Sequence, residues 1–415
     1  MVTRRLFLRG SAIAMAGIGS APVWLRRAAA AEGAKKKVLV AIFQRGAADG
    51  LNIVVPFFEK RYYDLRPTIA VQPPTTGGPS TVLPGALPAP QNASIDLDGR
   101  FALHSSLQPL KALWDKQQLA IVHAAGSPDP SRSHFEAQDF MESGTPGKTG
   151  DGWLNRALPP SGPGTSPLQA ISAGAHLPRT LRGVRSAIAV NDTQSFQMGS
   201  DAAVILEDMY ATTADARLAR TGKDAFEAMK MIRSLNAAAF NTALAQQYAQ
   251  AGELGRGLQQ VARLIKADVG VEAAFAEVGG WDHHGQEAGQ MSNLLRQFGM
   301  ALAAFCQDLG DRMEDVVLVT MSEFGRTAQE NGNNGTDHGH GSVMMVLGGT
   351  VRGGLVYGNW PGLQPEQLYE GRDLAVTTDF REVLSELVSA QLGQKNLSEV
   401  FPGYQPSTSL GLLRV

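Results

Sequence analysis

An α/β fold in three layers, with a mostly parallel central sheet between helices, is what the sequence predicts. Short apolar, β-branched runs alternate with helix-patterned segments, and polar residues gather just past the ends of those runs. Composition agrees: 46 glycines and 22 prolines in 415 residues imply many tight connections, the kind that carry working groups between strands and helices. With 43% hydrophobic and 18% charged residues, the chain can bury one large core or two modest ones, which excludes a disordered chain.

In chain order, residues 37–43 form an apolar run too short for a helix, a buried strand followed at once by Gln44-Arg45-Gly46-Ala47-Ala48-Asp49-Gly50. Residues 68–99 are rich in Pro, Gly and Thr and read as a surface excursion. A second strand, 119–123, leads through a Gly/Pro/Ser loop into a helix over 133–142. Residues 201–266 are rich in Ala, Gln and Leu with helical periodicity, a helical insert or cap in which Met209, Met229 and Met231 serve packing. Three further strands follow. Residues 271–277 precede Gly279-Gly280-Trp281-Asp282, residues 316–321 precede Ser322-Glu323-Phe324-Gly325-Arg326, and residues 343–347 follow the histidine-rich 336–341. Open sheets of this kind bind ligands beyond the strand ends, so the site is expected along that edge. No internal repeat is present.

Residues 1–31 carry Arg4, Arg5, Arg9, Arg26 and Arg27 and no acid, around an uncharged stretch at 10–25 that runs up to Ala28-Ala29-Ala30-Ala31. This reads as a signal peptide, too short and too rich in Gly, Ala and Ser for a span that needs about 20 apolar residues. Thr3-Arg4-Arg5-Leu6-Phe7-Leu8 resembles the twin-arginine export signal, which implies the twin-arginine translocase as an export partner and a periplasmic or secreted, already folded product. Removing the five arginines takes the net charge from −2 to about −7. With no long basic block, nucleic acid is not an expected partner. The single cysteine, Cys306, excludes an internal disulfide and any multi-cysteine metal site, and its spacing to Leu302, Phe305 and Leu309 marks it as a buried thiol. A metal must then be held by histidines and carboxylates.

Five of the eight histidines fall in three short polar motifs: His134, the His283/His284 pair, and His338 with His340. In Trp281-Asp282-His283-His284-Gly285 an acid and an imidazole two positions apart face one side of an extended loop and are candidate ligands of one ion. Thr336-Asp337-His338-Gly339-His340-Gly341 repeats the spacing, with glycines that admit a close ligand. Glu323 and Arg326 offer a further acid and a guanidinium suited to an oxyanion, or simply pair with each other. Asp49 is either a turn former or a ligand. Ser131, Arg132, Ser133 and His134 stand at a helix start. Ser131 is placed for attack on an anionic ester, whereas Ser133 is equally an N-cap forming a capping box with Glu136.

Arg45-Gly46-Ala47-Ala48-Asp49-Gly50-Leu51-Asn52, Pro130-Ser131-Arg132-Ser133-His134-Phe135-Glu136, Gly280-Trp281-Asp282-His283-His284, Ser322-Glu323-Phe324-Gly325-Arg326 and Asp337-His338-Gly339-His340-Gly341 together resemble the twin-arginine-exported domain-of-unknown-function family numbered 1501, from about Lys37 to the C-terminus. That family is more distantly similar to the alkaline phosphatase and sulfatase superfamily. The resemblance implies an alkaline phosphatase-like domain over 37–415, with one or two divalent metals at the strand ends. By the same resemblance Asp49 matches the first metal-binding Asp, Ser131 lies near the nucleophile, Asp282 and His284 match an Asp and His pair, Glu323 the acid of a later pair, and His338 or His340 the final His. Departures are visible: one residue separates Asp282 from His284 where three are usual, Phe324 stands where a histidine belongs, and Pro128 replaces the modified cysteine of sulfatases. A formylglycine mechanism is thereby excluded, and one metal or none is implied where relatives hold two.

The expectation is an exported hydrolase of phosphate or related esters, acting on a small-molecule or envelope anionic ester. Zinc or a similar divalent metal would sit among Asp49, Asp282, His284, Glu323 and His338 or His340, with Arg132 holding the ester oxygens. The alternatives are a catalytically inactive relative that binds an envelope ligand or partner, and a metal-free hydrolase using Ser131 or Ser133.

Overall fold

The computed structural model describes residues 36–75, 93–147, 149–162, 165–192, 200–234, 244–407 and 409–414. The expected signal peptide lies outside the described residues, as does much of the 68–99 excursion.

The α/β architecture is as expected. The strands are β1 Val38–Gln44, β2 Val54–Val55, β3 Ile95–Asp96, β4 Ala102–Leu103, β5 Leu119–Gly126, β6 Ala170–Ser172, β7 Ile188–Ala189, β8 Ala273–Val278, β9 Val316–Met321, β10 Ser342–Gly348, β11 Leu355–Tyr357 and β12 Thr378–Asp379. Nine of them form one sheet in the order β11-β5-β10-β9-β1-β8-β6-β7, with β12 on β5, and the order β2-β4-β3 forms a small second sheet. Pairing in the large sheet is parallel except at β10, which runs antiparallel to both β5 and β9. That one reversal matters for the site. The exits of β1, β5, β8 and β9 and the entrance of β10 all fall on the same edge, so four pieces of chain, one of them the β9–β10 connection, can meet there.

Both faces of the sheet are covered, which is why β1 reads as an unbroken apolar run. Its alternate residues divide cleanly. Val38, Val40 and Ile42 enter the core beneath helices Gln108–Asp115, Gly252–Lys266 and Glu287–Leu309. Leu39, Ala41 and Phe43 enter the core beneath helices His134–Ser143 and Phe380–Leu392. Each fully buried Leu, Ile or Phe contributes on the order of 1.5–3 kcal/mol.

Residues 201–266 are helical where described, in Ser200–Thr212, Ala216–Ser234, Ala245–Gln250 and Gly252–Lys266. The last of these packs Leu254, Leu258, Val261 and Ile265 into the main core. Met231 is buried, as a packing residue should be, but Met209 is 61% exposed. Cys306 is buried among apolar neighbours, and that burial pushes its thiol up to about 12, an inert group. Among the described residues no helix is long and apolar enough to cross a membrane.

His123 on β5 is locked as a neutral ring. Its Nε2–H donates to the Val54 carbonyl at 2.9 Å and its Nδ1 accepts from the Ala124 N–H at 2.9 Å, beside a register shift against β10 where Ala124 takes a φ of 52°. A second proton would have to face the Ala124 N–H. Burial lowers this imidazole to about 4, with the Val54 carbonyl and Asp49 opposing weakly. The unfolded chain therefore binds the extra proton between about pH 6.5 and 4 and the folded chain does not, so stability falls as pH falls through that window. Replacing His123 with Gln, which keeps a donor and an acceptor, removes that term. Urea unfolding at pH 7 and pH 5 is expected to show wild type losing on the order of 1–2 kcal/mol more than His123→Gln.

Candidate metal centre

The first approach to the shared edge is the loop between β5 and helix His134–Ser143. In Ser127-Pro128-Asp129-Pro130-Ser131-Arg132-Ser133 the side chains of Ser127, Asp129 and Ser131 each accept the N–H two residues on, at 3.0, 2.8 and 3.2 Å. The prolines fall where no N–H is needed, and this ladder of local turns delivers His134 to the first helical position. Ser131 is part of that ladder. Its hydroxyl also donates to Glu136 at 2.8 Å, so it is committed to the turn rather than aimed at a ligand. Ser133 occupies the N-cap without a side-chain cap bond, the Glu136 carboxylate serves Ser131, and no capping box forms.

After β8, Trp281 is buried and anchored by Nε1 on the Val278 carbonyl, which leaves Asp282 at the surface. Gly46, at φ 117° after β1, packs on this turn: a Cβ there would lie 2.8 Å from the Asp282 nitrogen. The third approach is the connection from β9 to β10, which folds on itself. Arg326 pairs with His338 in an antiparallel bridge, and Gly325 and Gly339 are hydrogen bonded at 2.9 Å. Gly339 was expected to admit a ligand; a side chain there would instead meet the Arg326 backbone.

These approaches bring His134, Asp282, His284 and His338 together. His134, Asp282 and His338 offer donor atoms all within 4.8 Å of one another. The Asp282 carboxylate lies 3.0 Å from His284 Nε2, 3.1 Å from His338 Nε2 and 3.5 Å from His134 Nε2, and the Nε2 atoms of His284 and His338 are 3.1 Å apart. Each ring is held from behind at Nδ1: His134 by Glu323 at 2.8 Å, His284 by Asp337 at 3.0 Å, and His338 by the Arg132 carbonyl at 2.8 Å. An oxygen acceptor at Nδ1 keeps the proton there and leaves the Nε2 lone pair facing the others. Lone pairs set that close repel unless a cation or a shared proton lies between them. Ligand atoms around a tetrahedral zinc at about 2.0–2.1 Å stand roughly 3.3 Å apart, the same range as these separations. His134 Nε2 supplies an independent sign, being shielded from water with no hydrogen-bond partner. The residues present therefore fit a divalent cation.

Electrostatics favours the same arrangement. Burial works against the Asp282 carboxylate, but the Arg326 guanidinium, bonded to it at 2.7 Å, leads the groups that hold it at about 2. Glu323 is completely buried and accepts from His134, Gln138 and the Gly46 N–H; burial opposes its charge and these donors win, keeping it below the usual carboxylate range. The same hydrogen bond raises His134. Asp337 is held down first by its bond to His284.

Other expected site residues take different roles. Asp49 is not part of the cluster: it caps the turn at Gly50–Ile53 and forms a buried two-pronged pair with Arg66. Glu323 orients His134 instead of facing the donors. His340 is buried against Tyr369, ring centroids 4.1 Å apart, so His338 is the histidine of that motif that joins the centre. Arg132 is engaged by Asp373 and Glu370, and its guanidinium is not free for an ester. Arg326 pairs neither with Glu323 nor with an open oxyanion position; it is buried, holding Asp282 and Thr336. Phe324, where a histidine was missing, stacks on His134. Sequence reading overlooked Asp337, although Asp337 directly precedes His338 and is the matching acid of the repeated motif.

A family described as protein of unknown function (DUF1501) matches residues 36–395. No curated protein matches the chain.

The Asp49 and Asp282 carboxylates separate by experiment. Asp49→Asn leaves Arg66 buried without its partner and is expected to lower the unfolding free energy by about 3–5 kcal/mol while the folded fraction still takes up zinc. Asp282→Asn is expected to abolish zinc uptake with a smaller stability loss than Asp49→Asn, since Asp282 is 44% exposed and the Asn oxygen can still accept from the buried Arg326. Urea unfolding paired with elemental analysis reads both.

Proposed function

The chain belongs to the DUF1501 family of proteins of unknown function, and on that premise we propose that it is an exported, metal-dependent hydrolase of phosphate or related esters. The observation that carries this reading is the convergence of three Nδ1-anchored imidazoles on one carboxylate at the open edge of the sheet. Zinc is the ion such a set of imidazole nitrogens and carboxylate oxygen suits best. His134, Asp282 and His338 would hold it, with His284 completing the set or standing beside it. Bound there, the ion supplies Lewis-acid chemistry, polarising an ester oxygen and acidifying water.

The chain's own residues do the rest. Glu323 and the Arg132 carbonyl fix the rings of His134 and His338, so their donor atoms need no reorganisation. Asp337 fixes His284, which is half-exposed with its Nε2 toward Asp282 and His338, where it would take or return a proton when it does not hold the ion. Ser131 is tied to Glu136, so water from the open side is the nucleophile favoured in this reading. The resemblance of the motif order to the alkaline phosphatase and sulfatase superfamily points to the same reaction class. Export by the twin-arginine route to the periplasm or beyond suits a protein that carries its metal in place, and rests on Arg4-Arg5 and the uncharged stretch that follows.

A second reading, a metal-holding protein without turnover that binds an envelope ligand, is favoured by one observation: both groups expected to attack and clamp the ester, Ser131 and Arg132, are engaged elsewhere. A panel of aryl phosphate, phosphonate and sulfate esters separates the two. The zinc-loaded chain is expected to turn over at least one class, with kcat/KM falling at least about 100-fold in His134→Ala and Asp282→Ala and staying within about 3-fold in Ser131→Ala. One zinc per chain with no turnover on any ester would favour the binding reading.

A further inference from the structure

His338 is gripped from two directions by arginines that share one buried acid. Its ring Nδ1 donates to the Arg132 carbonyl at 2.8 Å, and its own carbonyl accepts from Arg372. Behind them, Asp373 accepts from Arg132 through Nε at 3.1 Å and Nη2 at 2.7 Å on one carboxylate oxygen, and from Arg372 Nε at 2.9 Å on the other. The result is a closed ring of hydrogen bonds running His338, Arg132, Asp373, Arg372 and back to His338. Asp373 is fully buried, and its backbone is pinned by bridges to Thr327 and Tyr369. Arg132 also lies two residues before His134, so the same acid fixes the approach of a second imidazole.

The geometry points to Asp373 as a positioning residue of the metal centre, one that sets the tautomer and orientation of His338 through the Arg132 carbonyl. This rests on reading the centre as a metal site. The physical reason is that a carbonyl acceptor defines the tautomer only if it is held still. Arg132 is a long, partly exposed side chain, and without a buried counter-charge only the local turns on either side hold its backbone against that ring. Glu370 also reaches Arg132, at 2.6 Å, but it is 55% exposed, and an exposed ion pair adds little. The buried acid, rather than the nearer exposed one, does the positioning.

Two readouts test this on the full chain. The first needs no metal: ¹⁵N-histidine NMR at pH 8 reports which ring nitrogen of His338 carries the proton. Wild type is expected to show the Nδ1–H form, and Asp373→Asn a mixture of both forms. The second is cobalt titration, in which Asp373→Asn is expected to raise the Kd about 10–100-fold and shift the visible cobalt bands, while Glu370→Gln stays within about 2-fold. Should Asp373→Asn not fold, Arg372→Lys is used instead, as the half-exposed Arg372 tolerates change and Lys cannot span Asp373 and the His338 carbonyl together; the same direction is expected. An Asp373→Asn protein with the wild-type tautomer, Kd and bands would overturn the positioning role. A wild-type chain that takes up no cobalt, yet changes tautomer on substitution, would leave that role standing and bring down the metal reading instead.

Discussion

One carboxylate, Asp282, is the constraint around which the site is organised. It takes a hydrogen bond from the buried Arg326 and at the same time faces three imidazole nitrogens, each turned toward it by an oxygen at the far side of its ring. Arg326 is itself held by Thr336, whose hydroxyl donates to the buried Glu287. The polar network thus extends inward from an open mouth. The outermost groups, Asp282 and His284, are about half exposed, while Glu323, Arg326 and Glu287 are buried behind them. A buried, hydrogen-bonded interior supporting a small set of under-satisfied atoms at the surface is the arrangement that the proposed metal centre requires.

The sheet makes this arrangement available. In an all-parallel sheet the chain leaving β9 would have to cross the molecule before re-entering at the far edge. Because β10 is reversed, residues 322–341 leave and return on the same edge, and a single connection supplies Glu323, Arg326, Asp337 and His338. The turns after β8 and β5 add Asp282, His284 and His134. Gly46 allows the β1 turn to lie against the Asp282 backbone, and its N–H then bonds Glu323. Packing on both faces of the sheet holds these edges fixed relative to one another.

Much of the fold was legible because fully buried strands carry a plain signal. The run at 316–321 coincides with β9, and the run at 37–43 differs from β1 by one residue at each end. The site was legible only as a set of candidates. Histidines and acids in glycine-rich loops after strands, namely His134, Asp282, His284 and His338, could be found from position alone. Their neighbours could not, because what decides the role of a polar residue is a partner remote in sequence. Asp49 looks like a ligand until Arg66 is seen on it, Arg132 looks like an ester clamp until Asp373, 241 positions away, is seen to hold it, and His340 looks equivalent to His338 until Tyr369 covers it. Ser131 differs in kind. Its alternation with Pro128 and Pro130 already spelled a ladder of local turns, a signal present in the sequence but read as chemistry.

The most direct measurement is anomalous diffraction at the zinc edge from crystals of the protein grown with zinc. The account predicts one strong peak per chain, about 2.0–2.2 Å from His134 Nε2, His338 Nε2 and an Asp282 oxygen. A map with no peak there, or with zinc only on surface carboxylates while the three imidazoles still crowd Asp282, would contradict it.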